Sequence, residues 1–175
     1  FYVNATQAPW APHFRMWDYI TEDLPALLFD RFALDPERQA ITGPSMGGHG
    51  ALTIAMHHPE RFRSVSAFAP IAPPTASDWG RKQFAAYLGE NDASWEEHDA
   101  TLLMRDRGFD GPMLIDTGTR DQFIELLMPE AFAEAVAARR QQAVLRMQPA
   151  YDHSYFFVSS FMEDHVTFHA EALYA

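Results

Sequence analysis

Short apolar runs rich in β-branched and aromatic residues alternate along the chain with longer segments whose apolar positions recur at helical spacing. The short runs predict strands over residues 39–42, 64–68, 112–117 and 143–148. The helical spacing predicts helices over residues 14–29, 46–57, 95–105, 129–140 and 155–173. This alternation favours an α/β fold, in which helices cover both faces of a parallel sheet.

The segments between and before the predicted strands predict a loop, further core positions and the extent of the domain. Residues 69–80 contain too many prolines for regular structure, so we predict a loop above the sheet, where ligand-binding loops occur. The methionine and aromatic side chains of residues 14–29 recur at helical spacing, which predicts core positions. Few strand candidates precede residue 39. We therefore expect residues 1–175 to form one α/β domain that lacks its N-terminal strands. At roughly 30 residues per β-α-β unit, the expected missing part of the domain amounts to about 90 residues.

Composition and charge exclude several classes of partner. The 175 residues carry a formal net charge of −11, which argues against nucleic acid and anionic membrane surfaces. The chain has no cysteine, so it has no disulfide or thiolate metal site, which fits a reducing compartment. No apolar run approaches the ~18 residues that span a bilayer, and the first residues lack the basic region of a signal peptide. We therefore expect a cytoplasmic protein.

The most specific chemical motif is Gly43-Pro44-Ser45-Met46-Gly47, a G-x-S-x-G pentapeptide between a predicted strand and a predicted helix. This is the context of a nucleophile elbow, in which a strained turn lifts the serine hydroxyl above the sheet. We expect glycine at both ends of the motif because a Cβ at either position would crowd the strand-to-helix turn. The N–H of Met46 is a predicted oxyanion donor at the start of the helix. The alternative is a glycine-rich turn with an incidental serine.

A serine hydroxyl needs a neighbouring base to accept its proton, and eight histidines are candidates. His153 alone lies between the last predicted strand and the last predicted helix. In α/β-hydrolases the residues of the catalytic triad follow one another along the chain in the order serine, acid, histidine. We therefore predict that His153 is the base.

The acid of the triad is expected between Ser45 and His153, in a loop after a strand. Asp121 lies just past a predicted strand end, whereas Asp116 lies inside that strand and could point to either face. Asp152 is adjacent to His153, which makes the side-chain approach awkward, and a turn or helix cap suits it better. We predict Asp121 as the acid that holds the imidazole tautomer and stabilises the imidazolium.

A second pair of histidines raises the question of a metal site. His165 and His169 lie four residues apart in a predicted helix, a spacing that can place two ligands on one helix face. The residues between them lack the glutamate of the H-E-x-x-H motif. We therefore expect a solvated helix face and no metal site.

Several stretches together resemble the S-formylglutathione hydrolases, the esterase D family. They cover essentially the whole chain: residues 1–6 with Pro9-Trp10, residues 19–25, 45–52, 64–71 and 79–82, Asp121-Gln122-Phe123, and residues 151–155. The resemblance implies an α/β-hydrolase fold, a three-layer sandwich around a parallel sheet. It also places the nucleophile on Ser45, the acid on Asp121 and the base on His153.

The resemblance further implies a reaction. Its substrate class is small acyl thioesters and esters: S-formylglutathione is hydrolysed to glutathione and formate, the last stage of glutathione-dependent formaldehyde detoxification, with general carboxylesterase activity beside it. It implies no cofactor, and it leaves a homodimer open.

Two departures from the family pattern leave alternatives open. Family members usually carry histidine before the nucleophile, where this chain has Pro44, and proline removes an N–H and fixes φ. The family's upstream region, which supplies the first strands and the second oxyanion donor, has no counterpart in this chain. The alternatives are another esterase of the same fold, of the feruloyl or acetyl esterase kind, and an inactive remnant.

The expected substrate directs attention to Trp79-Gly80-Arg81-Lys82, at the end of the proline-rich segment. Glutathione carries two carboxylates, so its recognition needs a nearby cation and an apolar wall. We predict that Trp79 walls the acyl pocket and that Arg81 or Lys82 meets a glutathione carboxylate. The alternative for the two basic residues is an ordinary solvated helix start.

Overall fold

The computed structural model describes residues 1–90 and 92–175. Within these residues a four-stranded sheet contains β1 (Gln39–Pro44), β2 (Phe62–Phe68), β3 (Met113–Gly118) and β4 (Ala143–Gln148), side by side in that order. Each neighbouring pair is parallel, so the chain returns across the sheet between strands. The predicted parallel α/β sheet is confirmed, and every strand begins and ends close to its predicted limits.

Helices occupy most of the chain between the strands. They are α1 (Met16–Asp18), a π-helical turn (Tyr19–Asp23), α2 (Leu24–Arg31), α3 (Met46–His57), a 3₁₀ turn (Pro74–Ala76), α4 (Asp78–Leu88), α5 (Asp92–Glu96), α6 (Ala100–Asp106), α7 (Ile124–Leu127), α8 (Pro129–Arg139) and α9 (Tyr155–Tyr174). The predictions for α3, α8 and α9 are confirmed. No helix of the described residues is both long and apolar enough to cross a bilayer.

The helix predicted over residues 95–105 and the loop predicted over residues 69–80 are both partly wrong, because local capping decides where the helices begin. Residues 95–105 form parts of α5 and α6 with a turn between them, and the Asp99 carboxylate accepts the Thr101 and Leu102 N–H groups at the start of α6. The proline-rich segment is irregular only as far as Ser77. There the serine hydroxyl accepts the Gly80 N–H at 3.0 Å and begins α4.

Two layers of helices enclose the sheet, which confirms the three-layer sandwich. On one face, Val65, Ala67 and Ile115 pack in the main core with side chains of α3, α6 and α8. On the other face, Ser66 and Phe68 contact α9. Alternate residues of β2 therefore enter opposite layers, as the pleat of a strand requires.

The prediction of core positions in residues 14–29 is wrong for much of that segment. Trp17 and Ile20 pack against the main core, but Phe14, Met16 and Tyr19 are 42%, 37% and 44% exposed. Helical spacing identifies the apolar face of a segment, but it does not say whether another layer covers that face.

Candidate active site

The nucleophile elbow forms where β1 meets α3. Ser45 has φ 55° and ψ −117°, a left-handed φ that costs a non-glycine residue about 1–3 kcal/mol. Its N–H donates to the Phe68 carbonyl at 2.7 Å, so the end of β2 holds the strained turn. Pro44 is the last residue of β1 and lies beside Phe68 in the sheet register. Proline before the serine is therefore compatible with the elbow.

The two glycines of the pentapeptide differ in what they require. A Cβ on Gly43 would lie 2.5 Å from the carbonyl carbon and oxygen of Gly47, so position 43 has no room for a side chain. A Cβ on Gly47 would meet Pro44 Cδ at 3.5 Å, an ordinary contact. The expected crowding is therefore correct for Gly43 and wrong for Gly47, because it is the backbone of Gly47 that makes the close approach.

Met46 occupies the position that an oxyanion donor needs. It is the first residue of α3, so its N–H has no acceptor inside the helix. The partial positive charge of the helix N-terminus lies at the same place. Met46 and Ser45 both line a cavity of about 360 Å³. A negatively charged oxygen beside Ser45 would therefore meet this helix end.

Asp121 and His153 meet above the carboxyl ends of β3 and β4. The imidazole Nδ1 lies 2.6 Å from Asp121 Oδ2, and the aspartate is 4% exposed. The other oxygen, Oδ1, accepts the Phe123 N–H at 2.8 Å, so both carboxylate oxygens are engaged. A carboxylate at Nδ1 selects the tautomer that carries its proton there. The Nε2 atom is then the nitrogen available to accept a proton.

Asp116, the alternative acid, lies away from His153. Its side chain is buried and accepts from Arg146 Nε at 2.6 Å and from Gln148 Nε2 at 3.1 Å. Burial raises the pKa of Asp116, but hydrogen bonds from His165, Arg146 and Gln148 lower it to about 2. Asp116 is therefore an ion-paired carboxylate of the sheet face that α9 covers. Asp152, the other candidate, is exposed.

The expected solvated helix face at His165 and His169 is wrong. His165 is fully buried, stacks on Phe68 with ring centroids 3.7 Å apart, and pairs with Ser66 Oγ at 2.8 Å. His169 pairs with Ser64 Oγ at 2.7 Å and with Ser66 Oγ at 2.8 Å. Both rings therefore bind α9 to the sheet. Nowhere in the described part of the chain are three or more His, Cys, Asp or Glu side chains grouped to hold a metal ion.

Ser45 and His153 line two cavities. The first, of about 360 Å³, extends along Tyr155 and Phe157 at the start of α9. The second, of about 290 Å³, is bounded mainly by apolar side chains, namely Ile71, Trp79, Phe123, Leu126 and Leu127. Sequence reasoning missed all of these lining residues except Trp79. The apolar residues at positions 123, 124, 126 and 127, in the segment that follows Asp121, were the available signal for three of them.

The structure separates the three predicted substrate-binding residues. Trp79 borders the apolar cavity together with Ser45, where an acyl wall would lie. Arg81 forms an ion pair with Asp78 and donates to the Thr75 carbonyl at 3.0 Å, as expected for an ordinary helix start. Lys82 is exposed on the same helix.

Three features together define an α/β-hydrolase. They are a parallel sheet between helical layers, a strained serine after β1, and an Asp–His pair on the loops after β3 and β4. The Esterase family model matches residues 1–168. The chain belongs to this esterase family.

Comparison with individual proteins gives more specific similarities. The chain is 67% identical over 173 residues to an S-formylglutathione hydrolase of Paracoccus denitrificans (strain Pd 1222), covering 99% of this chain and 62% of that protein. The structure of an S-formylglutathione hydrolase from Agrobacterium tumefaciens superposes with a TM-score of 0.95 at 48% identity, over 98% of this chain and 62% of that one. FphF, a fluorophosphonate-binding serine hydrolase of Staphylococcus aureus, matches at TM-score 0.76 and 19% identity, over 96% of this chain and 66% of that one, and so shows the fold alone. The resemblance found in the sequence is confirmed. The chain spans 62% of the length of the first two relatives.

Proposed function

We propose that this protein hydrolyses S-formylglutathione to glutathione and formate, the last stage of formaldehyde detoxification, and that it also hydrolyses short acyl esters. The observation that carries the proposal is the 67% identity to the Paracoccus enzyme over 99% of the chain. A cytoplasmic location and a small-molecule substrate belong to the proposal, without a cofactor and without nucleic acid or membrane as partner. A homodimer remains the alternative to a monomer.

In the proposed reaction Ser45 is the nucleophile and His153 moves the protons. Ser45 Oγ attacks the thioester carbonyl carbon while His153 Nε2 accepts the hydroxyl proton. Asp121 stabilises the imidazolium that forms, through its contact with Nδ1 at 2.6 Å. The oxyanion of the tetrahedral intermediate meets the Met46 N–H and the N-terminal end of α3.

The remaining steps release the two products. Collapse of the intermediate breaks the C–S bond, and His153 returns the proton to the glutathione sulfur. Water then attacks the formyl ester on Ser45 while His153 accepts a proton from that water. Collapse of this second intermediate returns the proton to Ser45 Oγ and releases formate.

The two cavities at Ser45 suit the two halves of the substrate. The apolar cavity beside Trp79 suits the acyl group, and the larger cavity beside Tyr155 suits the leaving thiol. We place a glutathione carboxylate against Arg81 or Lys82. Arg81 would have to give up its ion pair with Asp78 to bind the substrate. Lys82 is exposed and could bind it directly.

Comparison of three substrates tests the proposed function. The purified protein should show its highest kcat/KM on S-formylglutathione, a lower value on p-nitrophenyl acetate, and the lowest on a feruloyl ester. The variant Ser45→Ala should lose turnover of all three while keeping the wild-type circular dichroism spectrum. A preference for the feruloyl ester would instead favour another esterase of this fold, and no burst with p-nitrophenyl acetate would favour an inactive protein. Activity of Ser45→Ala within tenfold of wild type would exclude Ser45 as the nucleophile.

A further inference from the structure

The loops that leave β3 and β4 stay bonded to each other beyond the sheet. The Thr119 N–H donates to the Gln148 carbonyl at 3.0 Å, and the Arg120 N–H donates to the Tyr151 carbonyl at 2.9 Å. The Ala150 N–H donates to Thr119 Oγ1 at 2.9 Å. The two loops therefore extend the pairing of β3 with β4 toward Asp121 and His153.

Close backbone contact accompanies these bonds. A Cβ on Gly118, the last residue of β3, would lie 2.3 Å from the Tyr151 carbonyl oxygen. Ala150 adopts a left-handed φ of 67°, a conformation that a non-glycine residue keeps only where its surroundings enforce it. The path of the chain into His153 is therefore set by the loop that carries Asp121.

Among the hydrogen bonds between these two loops, the one made by Gln122 involves the backbone of His153. Its Oε1 accepts the His153 backbone N–H at 3.2 Å. On either side of it, Asp121 binds the imidazole Nδ1 and the Phe123 ring meets the imidazole edge-on, with centroids 5.1 Å apart. Three consecutive residues thus hold one histidine at its backbone, at its ring nitrogen and at its ring edge.

We propose that Gln122 is a positioning residue, which fixes the His153 backbone so that Nε2 keeps one direction relative to Ser45. The inference rests on the proposed esterase function. The contacts of Asp121 and Phe123 hold the imidazole ring, but they leave the backbone of His153 free to move, and the contact of Gln122 with the backbone N–H removes that freedom. Small displacements of a catalytic group cost large factors in rate, up to roughly 100-fold for about 1 Å. Gln122 is exposed, so its removal should affect the rate more than the stability.

The chain offers a matched control in Gln141. The Gln141 side chain also holds loop backbone, since Oε1 accepts the Phe109 N–H and Nε2 donates to the Gly111 carbonyl, both at 3.0 Å. These contacts lie at the opposite end of the sheet, before β3 and β4. Gln141→Met therefore removes the same kind of hydrogen bond without touching the loops that hold His153.

Kinetics on p-nitrophenyl acetate form the first arm of the test. Gln122→Met, which keeps the side-chain length but has no acceptor oxygen, should lower kcat roughly 10- to 100-fold, with KM changed less than about threefold. Gln122→Glu keeps an acceptor oxygen and should recover most of the rate. Gln141→Met should lower the melting temperature at least as much as Gln122→Met while leaving kcat near wild type. The proposal is overturned if Gln122→Met keeps the wild-type kcat, or if Gln141→Met loses as much rate as Gln122→Met.

An activity-free readout keeps this test separate from the proposed function. The proton between His153 Nδ1 and Asp121 Oδ2 should give a low-field proton NMR resonance that disappears in Asp121→Asn. In Gln122→Met that resonance should broaden or move, and in Gln141→Met it should match wild type. An unchanged resonance in Gln122→Met would overturn the proposal. If the wild-type protein does not hydrolyse S-formylglutathione but does hydrolyse p-nitrophenyl acetate and shows the resonance, only the proposed substrate is refuted.

Discussion

Asp116 and Arg146 form a two-pronged ion pair between β3 and β4, with oxygen-to-nitrogen distances of 2.6 and 2.5 Å. Asp164 of α9 binds the same guanidinium at 2.7 Å, and His165 Nε2 lies 3.2 Å from Asp116 Oδ2. The pair therefore joins the last two strands to the last helix. Asp121, five residues farther along the chain, contacts His153 instead. Two nearby carboxylates thus have different partners, and we expect different consequences when each is removed.

Neutralising these two aspartates should separate catalysis from stability. Asp121→Asn should lower kcat by up to ~10⁴-fold, because an amide cannot stabilise the imidazolium and favours the wrong tautomer, while the melting temperature changes little. Asp116→Asn should keep most of the kcat of the folded protein but lower the free energy of unfolding by about 2–3 kcal/mol. That is less than for a fully buried pair because Arg146 is partly exposed. Ester hydrolysis and urea unfolding of both variants provide the measurement, and a larger loss of kcat in Asp116→Asn would contradict the assignment.

Adding one methyl group to each glycine of the elbow should give unequal results. In Gly43→Ala the new Cβ would lie 2.5 Å from the Gly47 backbone, so the turn has to open, and we expect loss of ester hydrolysis and a lower melting temperature. In Gly47→Ala the Cβ meets only Pro44 Cδ at 3.5 Å and the Tyr2 hydroxyl at 3.8 Å, and the protein should stay folded. Equal melting temperatures of the two variants would show that the elbow has more room than the structure indicates.

Stability should fall as the pH drops below neutrality, because several histidines are held neutral. Burial lowers the pKa of His49 to about 3 and those of His98 and His169 to about 4. The unfolded chain takes up these protons near pH ~6.5, so the stability they contribute is complete above that value. It is lost as the pH falls from about 6.5 toward 4, where the folded state also begins to bind protons.

Urea unfolding between pH 7.5 and 4.5 measures this loss. The unfolding midpoint should decrease steadily over the range, and His169→Gln should flatten the decrease. His13→Gln, which alters an exposed histidine, should not. A wild-type midpoint that is constant across the range would contradict the prediction. Asp116 acts at lower pH: its pKa of about 2 lies below the ordinary 3.8, so its contribution is lost between about 3.8 and 2.

Substrate recognition by the start of α4 can be separated into an apolar part and a charged part. Trp79→Ala should lower kcat/KM for S-formylglutathione and for p-nitrophenyl acetate alike, because Trp79 borders the cavity beside Ser45 whatever the leaving group. The double variant Arg81→Ala/Lys82→Ala should lower kcat/KM for S-formylglutathione alone, because only glutathione carries carboxylates. If the double variant affects both substrates equally, or neither, the two basic residues do not recognise glutathione.

Acyl size offers a check on the apolar cavity. A formyl group is the smallest acyl group, so we predict a tight acyl pocket that turns over acetyl esters faster than butyryl esters. Each methylene that does not fit costs about 1–3 kcal/mol. The cavity beside Trp79 has a volume of about 290 Å³, which is large for a formyl group. Comparison of kcat/KM for acetyl, propionyl and butyryl esters would show how much of that space the protein uses.

Much of the scaffold could be read from local pattern. The four strands of the described residues were predicted, because each is a short run of apolar and β-branched residues between longer segments with helical spacing. The elbow was predicted because a G-x-S-x-G turn between strand and helix is a local conformation with its own sequence requirements. Ser45, Asp121 and His153 were each proposed from their position relative to strand ends.

Local sequence patterns therefore predict the order of the elements, the elbow, and the loops that carry the candidate triad. Tertiary structure decided which polar groups meet. His165 and His169 have the spacing of a helix surface, yet α9 packs on the sheet and buries one ring fully against Phe68 and Asp116. Gln122 carries no signal in the sequence, because its contact with His153 depends on two loops 31 residues apart running side by side. Such contacts depend on the packing of distant segments, and periodicity along the chain describes only near neighbours.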